Sequence, residues 1–138
     1  MMMFEEKDLQ RFEFNGNSYP YKCDLAVLEK IQNRTGDLII AEDMLRGFKP
    51  RVDADGVMDR STGNYTLPDI GLVVDSLIWM IEEGIDISGE ELKAPAAVDL
   101  KRQDQYALND LAKIVFDEFE YALAPKDKKK SLKTNRKS

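Results

Sequence analysis

Apolar positions recur with two different periods along this chain. Over residues 9–22, LQRFEFNGNSYPYK, two short aromatic runs alternate with polar residues on either side of Asn15-Gly16-Asn17-Ser18, the period-2 pattern and turn chemistry of a β-hairpin. A Gly16-Asn17 turn sets Phe14 opposite Tyr19 and Phe12 opposite Tyr21, two aromatic cross-strand pairs on one face, whereas an Asn15-Gly16 turn pairs Phe14 with Asn17. The double aromatic pairing favours the first register. Pro20 lacks an N–H for a ladder, so its strand is expected at an edge or with that position pointing outward.

From Asp24 the period becomes helical. Asp24 is an N-cap for LAVLEKIQNRT, in which Leu25, Leu28 and Ile31 form a stripe that stops at Gly36. Asp37 caps a second stripe of Ala41, Met44, Leu45 and Phe48, ended by Gly47 and Pro50. Residues 49–66 are rich in Gly, Asp, Asn, Ser and Thr and read as an exposed loop or small hairpin. Thr66, Pro68 and Asp69 then start a helix over residues 70–84, apolar on most sides through Ile70, Val73, Val74, Leu77, Ile78, Trp79, Met80 and Ile81. This helix is expected at the centre of the core, with Trp79 a core residue rather than part of a contact surface, and Trp79→Ala is expected to cost about 3–5 kcal/mol. Ser88 and Glu91 have capping-box spacing, which predicts a helical turn in SGEELK before Pro95. A final helix begins at Val98 or Asp104 and reaches Leu123, with Leu108, Leu111, Ala112, Val115, Phe119 and Ala122 on one stripe. The fold class expected is α+β, mainly α-helical, with an N-terminal β-hairpin packed against four to five helices. No internal repeat occurs.

Composition narrows the chemistry. The 138 residues, 43% hydrophobic and 33% charged, suit one domain, placed at residues 1–125. The net charge of −6 hides an asymmetry: residues 126–138 hold seven basic residues against one acidic and net +6, which leaves −12 for residues 1–125. This basic tail, with Leu132 as its one bulky apolar residue, is expected to be disordered. An acidic body disfavours nucleic-acid binding, and any polyanion contact falls to the tail. There is no His, Cys23 is the one thiol, and no phosphate-binding glycine loop occurs. With no secretory signal and no run of about 18 apolar residues, a cytoplasmic protein without membrane attachment is expected.

The candidate sites are few, and each has a structural reading that outweighs the chemical one. Asp53, Asp55, Gly56 and Asp59 resemble a calcium loop, but aligning Gly56 with that loop's glycine puts Arg51 at the first ligand and Thr62 at the last, so a solvated turn is expected. Glu82 with Glu83, and Glu90 with Glu91, are neighbours that point in different directions on a helix and read as solubilising charge. Cys23, with no His or second Cys to activate it, reads as a half-buried thiol at the strand-to-helix junction. Asn33-Arg34-Thr35 and Asn64-Tyr65-Thr66 match the glycosylation pattern and carry no weight without a secretory signal. No catalytic, cofactor-binding or metal-binding residue is assigned, and no cofactor is expected.

The run YPYKCDLAVLEKIQNRTG, a strand leading through an Asp into an apolar helix that ends in Thr-Gly, resembles the opening of tail assembly chaperones from long-tailed phages and prophages of Gram-positive bacteria. LPDIGLVVDSLIWMIEEG and QYALNDLAKIVFDEFEYAL match the family's hydrophobic helix and final amphipathic helix, so the likeness spans roughly residues 9–123 at pattern level. The resemblance implies a non-enzymatic protein of the host bacterial cytoplasm. Such a protein binds the tape-measure protein, helps the major tail-tube protein polymerise around it, self-associates in some cases, and is absent from the mature virion. It also implies a longer frameshifted product, with which the lysine run Lys128-Lys129-Lys130 is compatible. The competing expectations are a small phage or host regulator that uses its basic tail on nucleic acid or an acidic partner, and a hydrolase that uses carboxylates alone.

Overall fold

The computed structural model describes residues 9–125 and Lys129, and its first element is an antiparallel hairpin of β1 (Gln10–Phe14) and β2 (Asn17–Tyr21). The turn is Asn15-Gly16, with φ of 49° and 81°, and it pairs Phe14 with Asn17 and Phe12 with Tyr19. The register expected from aromatic pairing is therefore wrong by one residue on each side of the turn. A two-residue turn that matches the strand twist needs positive φ at both central positions, which Asn-Gly adopts readily. That preference outweighs a second aromatic pair, worth only about 0.2–1 kcal/mol. Phe12, Tyr19 and Tyr21 are still buried on one face, and Phe12 stacks along its own strand on Phe14 at 5.9 Å. Pro20, opposite Arg11, lies on an edge strand as expected, since the sheet has two strands, and is buried because the helix over residues 70–88 packs on β2 at that point. Counted from the turn it falls at a pair that makes no ladder hydrogen bond, so its missing N–H costs nothing.

Helix α1 (Leu25–Thr35) is capped by Asp24, whose carboxylate accepts from the Val27 N–H, and it ends at Gly36 in the left-handed region. Helix α2 (Leu38–Arg46) is capped by Asp37 and ends at Gly47, with φ 73°. Both pairs of caps lie where the sequence places them. Phe48, assigned to the helical stripe, instead begins a second hairpin, β3 (Phe48–Val52) and β4 (Met58–Tyr65), which occupies most of the expected loop. Its turn is organised by Asp53, whose side chain accepts from the N–H groups of Asp55 and Val57. A bulge between Pro50 and Arg51 puts Arg51 opposite Asp59 and Pro50 opposite Gly63, and Arg60 lies inside it. The bulge turns Arg60 towards α2. There its guanidinium donates to Asp43 at 2.8 and 3.0 Å and to Glu42 at 2.6 Å.

Helix α3 (Ile70–Ser88) starts at Asp69, which caps the Leu72 N–H, and passes through Gly84 to end at Gly89. Leu72, Val73, Leu77, Met80 and Ile81 have no measurable exposure, so this helix is the centre of the core as expected. Trp79 is an exception, packing half-buried at the core's edge. The helix is covered by β2, α1, α5 and α4, and Trp79 lies where that cover is incomplete. Trp79→Ala is therefore expected to cost about 2 kcal/mol, below the figure of about 3–5 for an enclosed aromatic. A chemical denaturation midpoint measured beside that of the wild type checks this.

SGEELK is not helical. Ser88 closes the end of α3, its hydroxyl donating to the Ile85 carbonyl and accepting from the Glu90 N–H. The final segment divides into α4 (Ala97–Lys101) and α5 (Gln105–Leu123), and Asp104 caps α5 through the Ala107 N–H. Of the expected stripe, Leu108, Leu111, Ala112, Val115 and Phe119 are buried and Ala122 packs against the core. The architecture is α+β with an N-terminal hairpin, and none of the helices among the described residues is long and apolar enough to cross a membrane. The tail expected to be disordered lies outside the described residues except for Lys129, whose N–H donates to the Pro125 carbonyl.

Candidate partner-binding surface

The residue types considered for chemistry are mostly engaged in holding elements together. Cys23 is fully buried rather than half-buried, with 2% exposure, and its backbone N–H donates to the carboxylate of Glu118, itself buried on α5. Burial first, then the negative charge of Glu118, pushes the thiol far above its ordinary range. It stays protonated at neutral pH, and the thiol form is not a nucleophile. Asp59 accepts from the Ser61 N–H and hydroxyl, so the two outer acids of the calcium-like stretch, Asp53 and Asp59, each serve as a local turn acceptor.

The two Glu pairs separate, as their helical or post-helical geometry requires, but neither is merely solubilising. Both Glu90 oxygens accept from Arg11, at 2.7 and 3.1 Å, which ties the segment after α3 to β1. Glu91 is exposed. Glu82 is exposed as well, while Glu83 meets Asp24, the cap of α1, across the α1–α3 junction. A hydrogen bond shared with Asp24, partial burial and the neighbouring charges of Asp24 and Asp86 push Glu83 up to about 7, against a smaller opposing effect of Lys30. Because the folded state holds this proton more tightly than the unfolded chain, the stability it contributes is present at low pH and is lost as pH rises towards and through about 7. Glu83→Gln is expected to remove that loss. Melting temperatures at pH 5 and pH 8 should differ less in the variant than in the wild type, once shared effects of the other groups are subtracted.

The surface that remains unexplained by internal structure is apolar. Leu67 and Ile70, on the segment entering α3 and on its first turn, are each more than half exposed, and Tyr106 on α5 is 82% exposed. Leu67 stands between two open grooves. The first, of about 260 Å³, lies between the start of α3 and the α4–α5 corner and is floored by Val74, Leu108 and Leu111. The second, of about 290 Å³, lies between α2 and α5 and is floored by Leu45, Ala112 and Phe116. The chain is held here by two backbone bonds, Thr66 N–H to the Gly47 carbonyl and Asp69 N–H to the Met44 carbonyl. These fix the level at which Leu67 crosses α5. Exposed apolar side chains beside apolar grooves are the usual mark of a contact surface. The sequence reading missed this face, since it placed Ile70 among core residues and gave Leu67 and Tyr106 no role. The available signal was Tyr106, an aromatic residue outside the stripe of α5.

No protein-family model, curated protein or solved structure matches this chain.

Proposed function

We propose that this protein is a non-enzymatic tail assembly chaperone of a long-tailed phage or prophage, which binds the tape-measure protein in the host cytoplasm and assists the tail-tube protein to polymerise around it. The observation that carries the reading is the open apolar face around Leu67, placed on a chain whose first 125 residues net −12. A holding protein needs an apolar surface for its client and a repelling charge that limits its own aggregation. The neutral, buried thiol of Cys23 and the structural roles of Glu90 and Asp43 fit a binding module better than a hydrolase built on carboxylates. The pattern of YPYKCDLAVLEKIQNRTG and of the two long helices supplies the family.

Co-expression with the tape-measure and tail-tube proteins encoded beside it tests the reading. The tape-measure protein is expected to remain soluble and to co-purify with this protein. If its solubility is unchanged and DNA binding with a steep salt dependence is found instead, the assignment passes to the regulatory reading, in which the +6 tail acts on nucleic acid.

A further inference from the structure

We propose that the two grooves beside Leu67 form one docking face for an amphipathic helix that carries large apolar residues on one side and acidic residues along its flank. The inference rests on the reading of this protein as a chaperone, and adds to it the face used and the chemistry of the client segment.

The dimensions fit. The grooves share Leu67 as a wall and run along α5 from Asp104 to Phe116, which at about 1.5 Å per residue is about 18 Å. A docked helix of about three turns covers that length and presents apolar anchors at i, i+3 or i+4, and i+7. The first groove takes one anchor over Val74 and Leu108, and the second takes another over Ala112 and Phe116. Leu67, half out of the surface, wedges between them.

The charge around the face departs from that of the rest of the molecule. Arg46, Lys101 and Lys113 line the grooves against one carboxylate, Asp104, whereas residues 1–125 as a whole net −12. Lys113 is paired with Asp117 at 2.7 Å, but both side chains are more than half exposed, and such a pair is worth little and exchanges readily for a new partner. Arg46 shares Asp43 with Arg60, and its Nε–H has no acceptor among the described residues. A basic rim within an acidic surface selects acidic flanks and repels basic ones, through both encounter rate and register. A client helix with acidic flanks meets a like-charged surface over most of residues 1–125, so the rim also orients it onto this face.

The test uses the full chain and two fluorescent peptides of about 16 residues, long enough to hold helical structure. Both have leucines at i, i+4, i+7 and i+11; one has two Glu on the flank and the other two Lys at the same places. The Glu peptide is expected to bind about fivefold or more tightly at low salt, with the difference shrinking as salt rises. Leu67→Glu is expected to weaken binding of the Glu peptide by about tenfold or more, as loss of a central apolar anchor does. The double substitution Lys101→Glu with Lys113→Glu, at exposed positions, is expected to lower the melting temperature by only about 1–3 °C, the cost of a like-charge pair with Asp117, and to reverse the peptide preference. Unchanged binding by Leu67→Glu, or equal or tighter binding of the Lys peptide, overturns the proposal. So does Leu67-dependent binding to phosphatidylglycerol vesicles in place of either peptide. These measurements need no phage component. Failure here with successful tape-measure co-purification removes the docking face alone, and the converse removes the chaperone reading alone.

Discussion

Gly84→Ala is expected to lower stability by about 2–3 kcal/mol, although alanine in place of glycine inside a helix ordinarily gains about 0.5–1 kcal/mol. The reversal comes from the contact between α3 and β2. A Cβ at residue 84 would lie 2.3 Å from the Pro20 carbonyl oxygen, 2.5 Å from its carbon and 2.7 Å from the Tyr21 nitrogen. All three are backbone atoms, which no rotamer change can move aside. One turn earlier, the Lys22 N–H donates to the Met80 carbonyl at 3.0 Å, so strand and helix are already fastened to each other beside the collision. The methyl group must separate the hairpin from the helix, and with it Phe12, Tyr19 and Tyr21 from the core. At this chain length the midpoint of thermal unfolding should fall by about 8–12 °C. A variant as stable as the wild type would show that the hairpin shifts without loss, and that the close approach is not needed for its docking.

Removing the guanidinium of Arg60 is expected to have the second largest effect, about 2 kcal/mol, and to act first on the second hairpin. Asp43 is 4% exposed and its carboxylate is held by Arg60 and by Arg46. Breaking a fully buried ion pair costs about 3–5 kcal/mol. The figure here is smaller because Arg60 is about one-third exposed and Arg46 remains. In Arg60→Ala, β3 and β4 keep the edge-to-face contact of Phe48 with Tyr65 at 5.3 Å, but lose the ion pairs that hold β4 to α2. Amide exchange in Met58–Tyr65 should therefore accelerate before global unfolding is detected. The pH dependence gives a second check. The hydrogen bond from Arg60 is the foremost cause holding the Asp43 carboxyl below the usual carboxylate range. The stability this contributes is present above the ordinary Asp value of about 3.9 and is lost as pH falls below it. The wild type and Arg60→Ala should thus converge in stability in acid and differ most near neutrality. Equal exchange rates in the two proteins at pH 7 would show that the hairpin is held by other contacts.

These two residues also mark where reading the sequence reached its end. Gly84 has the signature of a helix stop, and the expected helix ended there; the true stop is Gly89, four residues after Ile85, whose carbonyl its N–H reaches. A glycine that permits close approach and a glycine that ends a helix look alike until the neighbouring backbone is in place. Arg60 lies in a stretch with the composition of a loop, and its partners, Glu42 and Asp43, are eighteen and seventeen positions away on α2. Only the bulge in β4 aims it at them. The Glu83–Asp24 pair and the Cys23–Glu118 bond are of the same kind, joining groups that no local period connects. The Leu67 face was hidden for a related reason, since whether Ile70 is core or surface depends on which helix covers the first turn of α3.

What the sequence by itself determined was the local order. Asp24, Asp37, Asp69 and Asp104 start helices, Gly36 and Gly47 end them, and the helical stripes select α3 and α5 as the elements with most to bury. These signals act over four residues or fewer, through a side chain and the backbone N–H groups beside it, so they are complete in the sequence. The tertiary structure decided the hairpin's covered face, the half-exposure of Trp79, the use of buried charge at Asp43 and Glu118, and the grooves beside Leu67. Each of these depends on which distant surface arrives to exclude water, and exclusion of water is a property of the packed chain that no short stretch of it possesses.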